Sequence, residues 1–138
     1  MTYDELIKMH PDFFSDNFFI ECEAGWSGII QAMLHKIRDH HEKTETIRKL
    51  HPERELEYTP IYFLQIKEKF GGLRVYATGG DYYTRGIIDM AEEMSRYVCE
   101  FSGDKGKRRT RRIDEDGKEV PAWIKVMSDS VAKEHRYV

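Results

Sequence analysis

The chain has 138 residues, 40% of them apolar and 34% charged, with 22 lysines and arginines against 25 acidic residues for a net charge of −3. That length holds one domain with room for a small appended subdomain, and the negative balance gives nucleic acid or an anionic membrane no bulk attraction. No apolar run reaches bilayer-spanning length, and two cysteines, Cys22 and Cys99, make no disulfide framework; with no apolar leader at the N-terminus, a reduced cytoplasmic setting is expected.

Residues 3–9 (YDELIKM) predict a short helix closed by Pro11, and 18–23 (FFIECE) a short strand. From Trp26 the apolar period changes: Trp26, Ile29, Ile30, Met33, Leu34 and Ile37 follow i, i+3, i+4, i+7 spacing and define one helix stripe. The polar tail RDHHEKTETIRKLH continues or frays from that helix, and Pro52 stops it. Residues 61–67 (IYFLQIK) and 73–77 (LRVYA) are rich in β-branched and aromatic side chains. They flank Lys69-Phe70-Gly71-Gly72 and read as a β-hairpin, with Tyr62 in the core and Phe70 packed on a helix. Gly79-Gly80 ends the second strand. Asp81 or Thr84 then caps a helix whose inner face carries Ile87, Ile88, Ala91, Met94 and Val98, leaving Asp89, Glu92 and Glu93 to solvent.

The last third reads as knuckle, hairpin, helix. YVCEFSG (Tyr97 to Gly103) has the outline of half a zinc knuckle, Asp116-Gly117 is a hairpin turn, and a final helix runs from about Ser128 towards His135. That is the element order of a treble clef, in which the knuckle and the last helix each supply two ligands to a tetrahedral zinc. Here Cys99 stands at the first place, Ser102 at the second and Ser128 at the helix start. Neutral serine is a poor zinc ligand, so no metal and no cofactor is expected. The expected fold is α+β: a small antiparallel sheet or hairpin packed on two helices (residues 1–98), with a metal-free treble-clef-like knuckle–hairpin–helix packed on it (99–138).

Two surfaces invite a binding role. The turn of the first hairpin sets Gly71 and Gly72 beside Lys69, Phe70 and Arg74, where backbone amides and cations can cradle an anion, although no phosphate-loop spacing is present. The second hairpin carries Lys105, Lys107, Arg108, Arg109, Arg111 and Arg112, suited to phosphates or to an acidic protein surface, with Asp104 and Asp114 to Asp116 as opposing neighbours. Tyr82 and Tyr83 are the candidates for exposed aromatic anchors, while Trp26, Tyr62 and Trp123 are assigned to the core. His35, His40, His41 and Glu42 read as a solvated helix end, and Cys22, a small buried residue, has no base near it in sequence. With no nucleophile, base and orienting group in any one pattern, the expectation is a binding protein without catalysis. Its partner is a protein, with nucleic acid on residues 105–112 as an alternative. A third reading is a sponge for a small nucleotide held by Lys69, Arg74, Arg85 and Tyr82 or Tyr83.

Three stretches carry a resemblance: CEAGWSGIIQAMLHKI (Cys22 to Ile37), QIKEKFGGLRVY (Gln65 to Tyr76), and GIIDMAEEMSRYVCEFSG followed by AWIKVMSD. They resemble a family of short proteins of bacteria, prophages and phages. That family combines a Cys-x-x-Gly-Trp lead into a helix, a KEKFGGLR hairpin and a C-terminal Cys-x-x-Cys-Gly module. The resemblance implies that Ser102 and Ser128 occupy cysteine positions and that Val131 stands where a last His or Cys belongs. It further implies a phage-type protein working in the host cytoplasm. The implied action is stoichiometric inhibition of a host protein, a defence factor such as a CRISPR effector, through residues 105–112 and the Phe70–Arg74 turn.

Overall fold

The computed structural model describes residues 1–138 and mixes four helices with two antiparallel hairpins, an α+β arrangement. Helix α1 (Tyr3–Met9) starts from a capping box in which Thr2 and Glu5 satisfy each other's backbone N–H groups. The expected strand at 18–23 does not form. Phe18 and Ile20 turn into the core, and Glu21 alone touches the sheet, donating to Ile66 O at 2.8 Å and accepting from Glu68 N at 3.1 Å. A 3₁₀ turn, Ala24–Trp26, then leads into α2 (Ser27–Leu50).

Helix α2 buries the stripe read from its sequence, with Trp26, Ile30, Leu34 and Ile37 all fully enclosed; each such side chain contributes roughly 1.5–3 kcal/mol. Its polar tail stays helical because the following loop ties it down. Thr44 is buried, His41 bonds the Tyr58 hydroxyl, and Arg48 donates to Tyr58 O. His40 and His41 are therefore part of a packed mid-helix face, with His40 contacting Asp81 at 2.7 Å, whereas His35 and Glu42 stay exposed, as expected of a solvated stretch.

Strands β1 (Thr59–Lys69) and β2 (Gly72–Gly80) form one two-stranded sheet. Its inward side chains Ile61, Phe63, Ile66, Leu73 and Val75 join α2 in a single core of 16 buried residues. Helix α3 (Tyr82–Met94) is capped by Asp81, which exchanges bonds with Thr84, and covers the open edge of β2. Two edge amides find side-chain acceptors there: Leu73 N reaches Ser95 Oγ and Val75 N reaches Glu92 Oε2, both at 2.9 Å. Glu92 thus faces the sheet, and Met94, expected inside, is exposed.

Strands β3 (Lys107–Ile113) and β4 (Glu119–Met127) form a second, separate sheet, followed by α4 (Asp129–Glu134). A small cluster of Cys99, Met127, Val131 and Ala132 fills this C-terminal unit. It closes onto the start of α2 through backbone. Gly25 N donates to Glu100 O at 2.7 Å and Trp26 Nε1 to Val98 O at 2.9 Å. A Cβ on Gly25 would lie 2.3 Å from Cys99 O, so only glycine permits this approach. The carboxylate of Glu100, 2% exposed, accepts from Glu23 N at 3.1 Å and meets Lys125 at 3.3 Å. Lys125 also reaches Glu68 on β1 at 3.6 Å. Burial pushes the Glu100 carboxyl up, with the Glu23 amide and Lys125 pulling the other way.

Candidate functional site

The first hairpin turns through Phe70 (φ 52°) and Gly71 (φ 81°). Two successive left-handed residues match the twist of the strands, and the turn swings over β4. A Cβ on Gly71 would come within 2.9 Å of the Ile124 side chain. The two hairpins, separate in sequence and in sheet, are thereby brought together at this turn, and a cleft of about 660 Å³ opens between them and α3.

One wall of the cleft is basic, with Arg74 from β2 and Lys107 and Arg108 from β3; Asp89 and Glu93 on α3 face them, with Arg96 and Tyr97 at the end. Arg96 is paired with Glu93 at 3.4 Å. Arg74 donates to Leu73 O at 2.9 Å, and neither it, Lys107 nor Arg108 forms an ion pair with any carboxylate, unlike Arg109, Arg111 and Lys125. Phe70 is 65% and Tyr97 62% exposed at the rim. The lining contains no histidine, cysteine, serine or threonine, so it holds no nucleophile–base pair of the acyl-transfer kind.

Behind Phe70 lies a shallower apolar hollow of about 510 Å³ bounded by Arg112, Pro121, Trp123 and Tyr137. Trp123, assigned to the core by its type, is 82% exposed, and Tyr62 also faces out at 38%. Phe70, expected to pack on a helix, instead stands between the charged cleft and this hollow.

The residues singled out in the sequence are thus divided. Phe70, Arg74, Lys107 and Arg108 converge on the cleft, and Lys69 sits at its turn with its ammonium 5.8 Å from the Phe70 ring. Arg112 belongs to the hollow. Arg109 is turned inward: 7% exposed, it donates to Met127 O at 3.1 Å and to Asp129 at 2.7 Å, so it braces α4 against the hairpin and presents nothing to a partner. Arg111 is held by Glu119 at 2.9 Å, and Lys105 lies in the exposed loop before β3. Tyr82 and Tyr83 occupy the opposite side of α3, with Tyr83 stacked on His40 at 4.3 Å; with Arg85 in yet another hollow, the residues of a nucleotide sponge do not share a cavity. Arg96, Tyr97 and Trp123 were missed. Strand alternation from the Asp116-Gly117 turn, which points Pro121 and Trp123 the same way, is the signal that could have found the last of them.

Around Cys99, the Ser102 N–H reaches Sγ at 3.4 Å and Ser128 caps α4 by accepting from Val131 N at 3.2 Å. Burial pushes the thiol up, but hydrogen bonds from Ser102 and from the backbone of Ser128 and Phe101 outweigh it and hold the pKa below the ordinary value. His135 lies against the Phe101 ring, 5.1 Å between centroids. No group of three or more His, Cys, Asp or Glu side chains is arranged to hold a metal ion. Cys22 is half-buried, not buried, with the Tyr3 hydroxyl 3.3 Å from its sulfur; burial lifts its thiol to about 11. No helix is long and apolar enough to cross a membrane. Comparison of the chain with family models, curated proteins and solved structures finds no match.

Proposed function

We propose that the chain is a non-catalytic binding protein that docks an acidic protein partner on the face centred on Phe70. The observation that carries this reading is the meeting of two hairpins. It sets three unpaired cations, Arg74, Lys107 and Arg108, beside exposed Phe70, Tyr97 and Trp123. Arginine, tyrosine and tryptophan are the residues that dominate the energetics of protein interfaces, and cations steer association with an acidic surface. On the resemblance of three of its sequence stretches to phage and prophage proteins, we further infer a stoichiometric inhibitor of a host protein, a defence factor being the expected kind. The C-terminal unit is read as a treble clef without its metal, in which the N–H groups around Cys99 Sγ and the Ser128 cap replace coordination.

Tagged protein incubated with host lysate should retain one protein at equal stoichiometry. Phe70→Ala combined with Arg108→Glu should release it, whereas Arg85→Ala should not. Retention unaffected by the double substitution sinks the assignment. Unpaired cations between aromatic rings also suit single-stranded nucleic acid. A shift of labelled oligonucleotides whose affinity falls steeply with salt would move the function to that class.

A further inference from the structure

We propose that residues 10–14, which follow α1 and lie across α2 and β1, form an acid-released strap: a proton on the His10 ring breaks its bond to Arg38 and lets the strap open. His10 is 6% exposed, and its Nδ1 accepts from Arg38 Nε at 3.1 Å. A guanidinium offers N–H donors and no acceptor, and it stays charged at any pH a folded protein meets. The ring nitrogen facing it must therefore carry a lone pair, so the imidazole is neutral while the strap is closed.

Arg38 grips the strap at three points. Besides His10 it holds the Asp12 carboxylate with both terminal nitrogens, one of them at 3.0 Å, and its guanidinium carbon lies 3.9 Å from the centre of the Phe13 ring. His10 itself stacks on Phe13 at 5.3 Å. Phe13 and Phe14 are then driven into the core, 1% and 5% exposed, where both rings meet Phe63. Phe13 O accepts from Phe63 N at 2.9 Å, which ties the strap to β1 through backbone.

The groups around His10 decide the sign. Burial opposes its protonation most, and the charge of Arg38 and the proximity of His35, both on α2, add to that; Asp12 on the strap and Glu42 on α2 act the other way. His41 of α2 meets the Phe13 ring edge-on at 5.9 Å and is engaged with the Tyr58 hydroxyl. The balance holds His10 below the ordinary histidine value of 6.5. An open strap lacks these constraints and takes up its proton at the ordinary value. The closed form therefore loses ground as the pH falls from 6.5 towards the value His10 has when buried. What opening uncovers is the aromatic cluster of Phe13, Phe14 and Phe63.

Native-state hydrogen exchange on the full chain, corrected for the intrinsic pH dependence of exchange, tests the proposal. The Phe63 amide reports the strap, and the Leu73 amide, held by Ser95 Oγ, reports the same sheet at a site no titrating group touches. Between about pH 7 and pH 5, the range in which histidine changes charge, protection of Phe63 should fall by about tenfold, the worth of one hydrogen bond to a charged group. Leu73 should not move. His10→Gln keeps a carbonyl acceptor for Arg38 that does not titrate, and it should abolish the fall. An NMR titration of the wild-type ring, which needs no variant, should place the His10 midpoint below 6.5. A midpoint at or above that value overturns the proposal, as does a Phe63 amide indifferent to pH. A fall shared equally by Leu73, or one that survives His10→Gln, overturns it too.

Discussion

Replacing Glu100 tests the junction between the two halves of the fold. Glu100→Ala removes the acceptor of the part-buried Glu23 N–H, and leaving such an amide unsatisfied costs about 1–3 kcal/mol. Loss of the side chain's methylenes adds roughly 1 kcal/mol. Lys125 loses one of two partners but keeps Glu68 at 3.6 Å and some solvent, so its share is about 0–1 kcal/mol. The sum is about 2–5 kcal/mol, which lowers the melting temperature by on the order of 10 °C in a domain of this size. Glu100→Gln retains an acceptor for the Glu23 amide and removes a charge that burial disfavours, so it should cost no more than about 1 kcal/mol. The pH dependence follows in sign. The folded pKa lies above the ordinary glutamate value of 4.5, so the native state holds this proton more tightly than the unfolded chain. Its contribution to stability therefore declines as pH rises from the ordinary value through the folded one. Thermal unfolding of wild type and both variants from pH 4 to pH 8, about the range bracketing that titration, should show Glu100→Gln gaining on wild type as pH rises. If Glu100→Gln is as damaging as Glu100→Ala at neutral pH, the ion pair with Lys125 is the governing contact and the reasoning fails.

Gly25→Ala would place a Cβ within 2.5 Å of three backbone atoms of Cys99 and Glu100, and backbone cannot rotate away. A loss of about 3 kcal/mol or more is expected, whereas Gly28→Ala, with nothing within 4 Å, should stabilise by roughly 0.5–1 kcal/mol; chemical denaturation distinguishes the two. Ser102→Cys, Ser128→Cys and Val131→His together should give the C-terminal unit a zinc site with Cys99. Native mass spectrometry showing no bound zinc would argue against the treble-clef reading.

The long periodic segments were legible because burial enforces the period. The α2 stripe, the β1–β2 pair and the Asp81 cap follow from apolar spacing, two glycines and a side chain that bonds its own helix. Whether α2 continues to Leu50 or frays was left open by the sequence, since the choice depends on Tyr58, which returns only through the loop. Residues 18–23 have strand composition, yet Phe18 and Ile20 serve packing, and one bridge at Glu21 is all the pairing they make. The cleft was half legible. Both basic and glycine-rich turns stood out, but their meeting is a tertiary fact, and the irregular register between Arg109 and Arg111 is what buries Arg109 among cations that look alike in sequence.

The contacts that join Glu23, Gly25 and Trp26 to residues 98–100 span more than 70 positions of chain. Closing a loop of that length carries an entropic penalty that is met before any reward is collected. The helices and hairpins, each local, can form without it. The latch at Gly25 and Glu100 is therefore expected to form late in folding and to part early in unfolding, with the C-terminal unit opening while the main core stays protected. Native-state hydrogen exchange would resolve this as a low-energy opening shared by the Gly25, Cys99 and Glu100 amides, well below the global unfolding free energy of β1 and α2.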